Sequence, residues 1–265
     1  MAFLNGICAL CQASTHLQSS HLLPKSLYRY IRAKGGGDKS LIHVGQHAAF
    51  RSDKQYAGHL LCTSCEQLFS TNGEEPVLSA CYRGQGFFAL AQALATHRPI
   101  CQTNDLAFYD AQPLGALAEQ LAYFGISIIW RWSAGHHVWP ESTRYPRRLG
   151  KYEDLLRPYL LGQASRPGSI NVWVEVLRPT VPLELLALPA GPDHGTPRDY
   201  EFWIPGLRFV VRVGGGADEV SRVCLTGSTI QTLCQVDPRE RRSFAAIVGL
   251  VRGADPKGRL ATALR

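Results

Sequence analysis

Several things are scarce or missing in this chain, and each absence narrows what it can be. Its start, Met1-Ala-Phe-Leu-Asn-Gly-Ile-Cys8, has no basic n-region and no long apolar h-region, so no secretory leader is expected. No apolar run is long enough to cross a bilayer: the longest, around Leu121 to Trp132, is interrupted by Gly125, Ser127 and Arg131. Internal repeats and low-complexity tracts are also missing, and a hydrophobic fraction of 45% is too high for a mainly disordered chain. Acidic residues are the scarcer charge, 21 against 28 basic ones, which leaves +7 across 265 residues and a pI near 9.1. That balance favours polyanionic partners without requiring them.

Cysteine, by contrast, is plentiful, with 8 residues. Without a leader these do not read as a secreted disulfide framework; a reducing cytoplasm and metal-bound thiols are expected instead. Cys8-Ala-Leu-Cys11 and Cys62-Thr-Ser-Cys65 form two C-x-x-C pairs. Each short turn presents two thiolates to one side, and two such turns complete a tetrahedral shell for one structural Zn2+. The competing reading is two independent redox or merely buried pairs. A redox C-x-x-C normally follows a strand and opens a helix in a βαβ unit, and nothing near Cys8 reads that way, although Cys62 and Cys65 keep the option. Cys81, Cys101, Cys224 and Cys234 have no metal spacing and are expected to pack as small hydrophobes.

Between the two pairs, Ser14 to Leu23 reads as a strand carrying His21 near its end, and Pro24 suits the start of a helix from Lys25 to about Ala33, stopped by Gly35-Gly36-Gly37. Lys25, Arg29 and Arg32 fall at i, i+4 and i+7 on that helix, either as a phosphate-facing edge or as a solvated face. Residues 35 to 58 read as a long exposed loop. His59 to Cys62 reads as a second strand, followed by a helix ending near Asn72-Gly73. Further helices are expected over Gln85–Ala95, Leu114–Trp130, Tyr152–Leu161 and Pro238–Val251, with Thr103–Pro113 joining two regions. Strand alternation follows over Ile170–Val176 and Glu201–Val213, separated by a Pro/Gly loop around Pro189–Pro197. Trp130, Trp132 and Trp139 precede Arg144, Arg147, Arg148 and Lys151, with Tyr145 and Tyr152 interleaved. This mixture grips a nucleic-acid strand in some proteins; alternatively the tryptophans are core and only the basic residues are exposed.

The succession Cys8-x-x-Cys11, Ser20-His21-Leu-Leu-Pro24-Lys25 with Tyr28-Arg29, and Leu60-Leu61-Cys62-x-x-Cys65-Glu66 resembles the HNH nuclease family, and more narrowly a divergent HNH-like group of bacterial proteins associated with anti-phage defence. The resemblance covers residues 8 to 75. It implies a zinc-stapled ββα-metal, treble-clef-like fold, with His21 as the general base that activates water. It also implies a catalytic Mg2+ or Mn2+ held by the residues at Ser20 and Glu66; the alternative to that metal site is Lys25, acting as a point charge on the transition state. The chain departs from the pattern at those places: Ser20 stands where the family has Asp or His, Glu66 where it has His, and Ala57 where it has Asn. Glu74, Glu75, His59 or a residue from the 35–58 loop would then have to complete a catalytic metal site.

The expectation is therefore an α+β protein with an HNH-like zinc domain over residues 1–103 and a mixed helix and antiparallel-sheet accessory or recognition domain over 104–265. Its expected site residues are Cys8, Cys11, Cys62 and Cys65 for zinc, His21, Glu66 and Lys25 for catalysis, and Lys25, Arg29, Arg32, Arg147 and Arg148 for nucleic acid, DNA being favoured. The leading function is a cytoplasmic metal-dependent nuclease restrained or completed by a partner protein, with no membrane involved. The alternative is a non-catalytic zinc module that binds nucleic acid or protein; a thiol-redox protein is a third.

Overall fold

The structure, a computed structural model, describes residues 4–34, 41–44, 49–52, 55–83, 87–139, 149–178, 185–191, 197–215, 218–252 and 255–256. Strand β1 (Leu4–Ile7) turns back through the first cysteine pair into β2 (Ser14–His21), and β2 also pairs antiparallel with β5 (Ala57–Cys62), giving a three-stranded sheet in the order β1-β2-β5. Between β2 and β5 lie α1 (Lys25–Lys34), β3 (Leu41–Val44) and β4 (Ala49–Ser52). Helix α1 buries Leu27 and Tyr28 and leaves Lys25 and Arg29 exposed, so its sequence is divided between a core face and a charged face.

The second cysteine pair opens α2 (Thr63–Phe69), which runs through a π-helical turn (Ser70–Glu74) directly into α3 (Glu75–Ala80). The sequence places a helix end at Asn72-Gly73, yet the helical path continues there. The cause is tertiary: Gly73 is buried, and a Cβ on it would lie 3.2 Å from the Phe124 Cα, so the glycine permits close helix approach where it would otherwise end the helix.

The remainder comprises α4 (Ala89–Ala95), β6 (Cys101–Gln102), β7 (Leu106–Asp110), α5 (Ala116–Ala134), α6 (Lys151–Leu160), β8 (Ile170–Leu177), β9 (Ala187–Ala190), β10 (Arg198–Ile204), β11 (Leu207–Val213), α7 (Glu219–Arg222), β12 (Val223–Cys224), β13 (Ile230–Val236), α8 (Arg242–Arg252) and β14 (Asp255–Pro256). Thr103–Pro113, expected as a joint, contains β7. The large sheet runs β14-β4-β3-β9-β10-β11-β8-β13-β7-β6, with β12 pairing beside β13. Most of its pairs are antiparallel, while β13–β8, β3–β9, β14–β4 and β12–β13 are parallel. Residues 41–44 and 49–52, expected within an exposed loop, are therefore strands at one side of this sheet. The architecture is α+β.

Helix α5 organises the core. It is buried on nearly every side from Leu121 onward, as its almost unbroken apolar sequence requires. One side meets Gly73 and the ring of Phe69; the other meets the large sheet at Gly125, where a Cβ would come 3.1 Å from Phe209 and 3.4 Å from Val172. Trp130, Trp132 and Trp139 are buried in this core, so they do not form a stacking surface.

Candidate metal centre and its surroundings

The turn between β1 and β2 is built for two inward thiols. After Cys11 the chain needs a left-handed residue to reverse into β2, and Gln12 supplies it at φ 63°. A non-glycine residue there is strained. Its side chain offsets the strain by donating to the Ala9 carbonyl at 2.8 Å, while its amide donates to the Cys8 carbonyl at 2.9 Å. The opposite side of the centre is the start of α2, where Cys62 is the extended N-cap residue and Cys65 lies in the first turn.

These two pieces bring the Cys8, Cys11, Cys62 and Cys65 sulfurs within 4.8 Å of one another, with Cys11 Sγ to Cys62 Sγ at 3.8 Å. Thiolates at about 2.3 Å from a tetrahedral zinc have edges of about 3.8 Å, so the donor set fits a zinc ion held by four cysteines. The Cys62 amide donates to Cys8 Sγ at 3.3 Å, a bond that favours a thiolate. The Cys8 thiol is pushed down to about 4, chiefly by its hydrogen bond with Cys65, while Cys65 is pushed up by the same bond and then by burial. Burial raises Cys11. One thiolate is thus already favoured. Bound zinc would supply a cross-link between the β1–β2 turn and the β5–α2 junction, and four thiolates leave no open position for water or substrate. Arg157 of α6 buttresses the turn by donating from Nε to the Ala9 carbonyl at 3.2 Å.

The other cysteines divide. Cys81, Cys224 and Cys234 are buried as expected, but Cys101 is exposed on the short strand β6.

His21 ends β2 opposite Ala57. Burial, then Lys25, holds its imidazole below the ordinary 6.5, against opposing pulls from Gln55 and Glu66. Four residues expected near His21 are occupied elsewhere, and Glu66 is not among them. Ser20 is 1% exposed, and its Oγ accepts the Leu61 amide at 3.1 Å. Glu74 pairs with Arg131, Glu75 accepts from Ser70 Oγ at 2.9 Å, and the exposed His59 turns Nδ1 to the Leu17 carbonyl at 3.2 Å. Glu66 has one carboxylate oxygen, Oε1, buried with no hydrogen-bond partner among the described residues.

Arg131 joins this group from α5. Its side chain is 1% exposed; Nη1 donates to the His21 carbonyl at 2.8 Å, Nη2 pairs with Glu74, and the guanidinium lies 4.7 Å from the Phe69 ring centroid. Burial works against its charge, but Glu74 and Glu66 outweigh it and hold Arg131 above its usual range. A signal for this residue is present in the sequence, since a lone arginine in a long apolar helix requires a buried partner.

Lys25 and Arg29 are exposed on α1. Arg32 lies in the same helix, but its side chain is outside the described residues, as are Arg147 and Arg148 altogether. No family model matches the chain, and neither a curated protein nor a solved structure matches it. Among the described residues no helix is long and apolar enough to cross a membrane.

Proposed function

We propose that this protein is a zinc-stabilised nucleic-acid-binding module of HNH-like, treble-clef ancestry whose metal is structural. The observation that carries the reading is the closed four-thiol centre, whose donors come from the β1–β2 turn and the start of α2. Support for a non-catalytic role comes from the neighbouring polar groups: Ser20 is committed to the Leu61 amide and Glu74 to Arg131. Both therefore serve the fold. Support for nucleic acid comes from the excess of basic residues and from Lys25 and Arg29, exposed one turn apart on α1 shortly after β2.

The test is fluorescence anisotropy of zinc-loaded protein with single-stranded DNA, duplex DNA and RNA over a salt series. Binding should weaken as salt rises, and Lys25→Ala with Arg29→Ala should make the logarithmic slope shallower by about 1.4 for a single strand, the release expected from two phosphate contacts. Affinity that ignores both salt and these substitutions would refute the reading. A second reading, hydrolysis, draws support from the depressed basicity of His21 beside Lys25 and Glu66. It requires cleavage that depends on added Mg2+ or Mn2+ and vanishes in His21→Ala.

A further inference from the structure

A cavity of about 530 Å³ lies between α1 and α3, and nothing in the zinc centre or the His21 group uses it. Its α1 wall is Ser26, Leu27 and Tyr30, on the side of that helix turned away from Lys25 and Arg29. The α3 wall is Glu75, Leu78 and Ser79, which share one stripe at i, i+3 and i+4. Tyr82 and Arg83 line it just past the end of that helix. The volume is in the range of small-molecule sites, and leucine and tyrosine side chains supply most of the walls, so the body of an occupant must be apolar. Cys81 also lines the cavity, but its thiol donates to the Leu78 carbonyl at 3.3 Å and burial pushes it up to about 11. It offers no nucleophile for a covalent ligand.

The two charged residues of the lining stand at opposite ends of α3. Glu75 is the first residue of that helix, while Arg83 comes after its last, Ala80. Glu75 is exposed, and its Oε1 accepts from the hydroxyl of Ser70, a residue that does not line the cavity, at 2.9 Å. Arg83 is fixed in place: its amide donates to the Phe87 carbonyl at 2.9 Å, and its Nε and Nη2 donate to the Leu78 carbonyl at 3.0 and 2.9 Å. Capping the last turn of α3 in this way occupies one edge of the guanidinium. Among the described residues Nη1 makes no hydrogen bond, so the Nη1 and Nη2 edge keeps free donors in a fixed plane. A planar carboxylate takes such a fork with two parallel bonds, whereas an ammonium group is repelled by it. The cavity therefore pairs apolar walls with one oriented cation at one end.

We propose that this cavity binds a small monocarboxylic acid with an apolar ring or chain, its carboxylate on Arg83 and its body among Leu27, Tyr30, Leu78 and Tyr82. The proposal is independent of the nucleic-acid reading, since the cations of α1 take no part in it. The test titrates full-length zinc-loaded protein with 2-naphthoate and with 2-naphthamide, its uncharged counterpart of the same shape, by isothermal calorimetry. The acid should bind once per chain and about 10-fold more tightly than the amide, the low end for hydrogen bonds to a charged group because Arg83 is exposed. Arg83→Gln should remove that preference while leaving the amide's affinity unchanged. Ser79→Trp, which fills the cavity from an exposed lining position, should abolish binding of both compounds. Circular dichroism and zinc content check that each variant is folded, and the comparison of acid with amide on the wild-type protein needs no variant. A wild-type protein that binds neither compound, or binds both equally, would overturn the site, as would a folded Ser79→Trp variant that binds the acid like the wild type.

Discussion

Replacing Arg131 by Met should be the most damaging single change at the junction between the sheet that carries the first cysteine pair and the central helix. Methionine keeps an unbranched apolar stem, shorter than arginine's, and removes the charge and both directed bonds. Glu74 then loses its ion pair in a site where it is only 17% exposed, and the His21 carbonyl loses a donor at 2.8 Å. Breaking one partner of a buried pair costs about 3–5 kcal/mol, and the partial exposure of Glu74 favours the lower end, about 3 kcal/mol. For a domain approaching this size that corresponds to a fall in Tm of about 6–12 °C. Urea denaturation of zinc-loaded protein reads the loss directly. A rescue is expected as well: Glu74→Gln added to Arg131→Met removes the stranded charge and should restore a large part of the lost stability. A loss below about 1 kcal/mol for the single variant, or no recovery in the double one, would show that the ion pair does not hold this junction together.

Other consequences are more local. Gly73→Ala should destabilise by about 1 kcal/mol or more, because the new methyl meets the Phe124 Cα at 3.2 Å, a backbone atom that cannot yield, and the overpacking exceeds alanine's helix preference; equilibrium unfolding decides the sign. His21 should titrate below 6.5 by NMR, and Lys25→Ala should move it upward, since burial and then Lys25 disfavour its charged form. The sign for stability follows from linkage. A histidine whose folded pKa is depressed contributes stability that is complete above its unfolded pKa and is lost as pH falls through the folded one, so His21→Phe should flatten the acid limb of the stability profile. A His21 value at or above 6.5 would contradict that expectation.

The metal centre was largely legible in the sequence, because a C-x-x-C pair encodes a local turn and two such pairs define a shell wherever the chain brings them together. The strand β8 was legible too, from alternating apolar residues such as Val172, Val174 and Val176, all buried, and so was strand character over Glu201–Val213, but not the reversal between Ile204 and Leu207 that divides this stretch into the antiparallel pair β10 and β11. Residues 41–44 and 49–52 were not, since their strand character comes from pairing with each other and with Ala187, a contact across the chain that leaves no local pattern. Helix continuation through Asn72-Gly73 was hidden for a similar reason: propensity predicts a stop there, and packing against Phe124 overrides it. Arg131 was visible only as an interruption of an apolar run. Its partners, Glu74 and the His21 carbonyl, become apparent only once α5 is seen to pass over the end of β2.

Everything built around the first sheet depends on Cys8, Cys11, Cys62 and Cys65 holding one structural zinc ion. Native mass spectrometry of the full-length protein, purified without added metal and compared with Cys62→Ser, tests this most directly. One zinc per wild-type chain is expected, with its loss in the variant, and the wild-type chain should lose its cooperative unfolding transition when a chelator strips the metal. A wild-type protein that is fully folded yet carries no zinc, even after incubation with it under reducing conditions, would contradict the assignment.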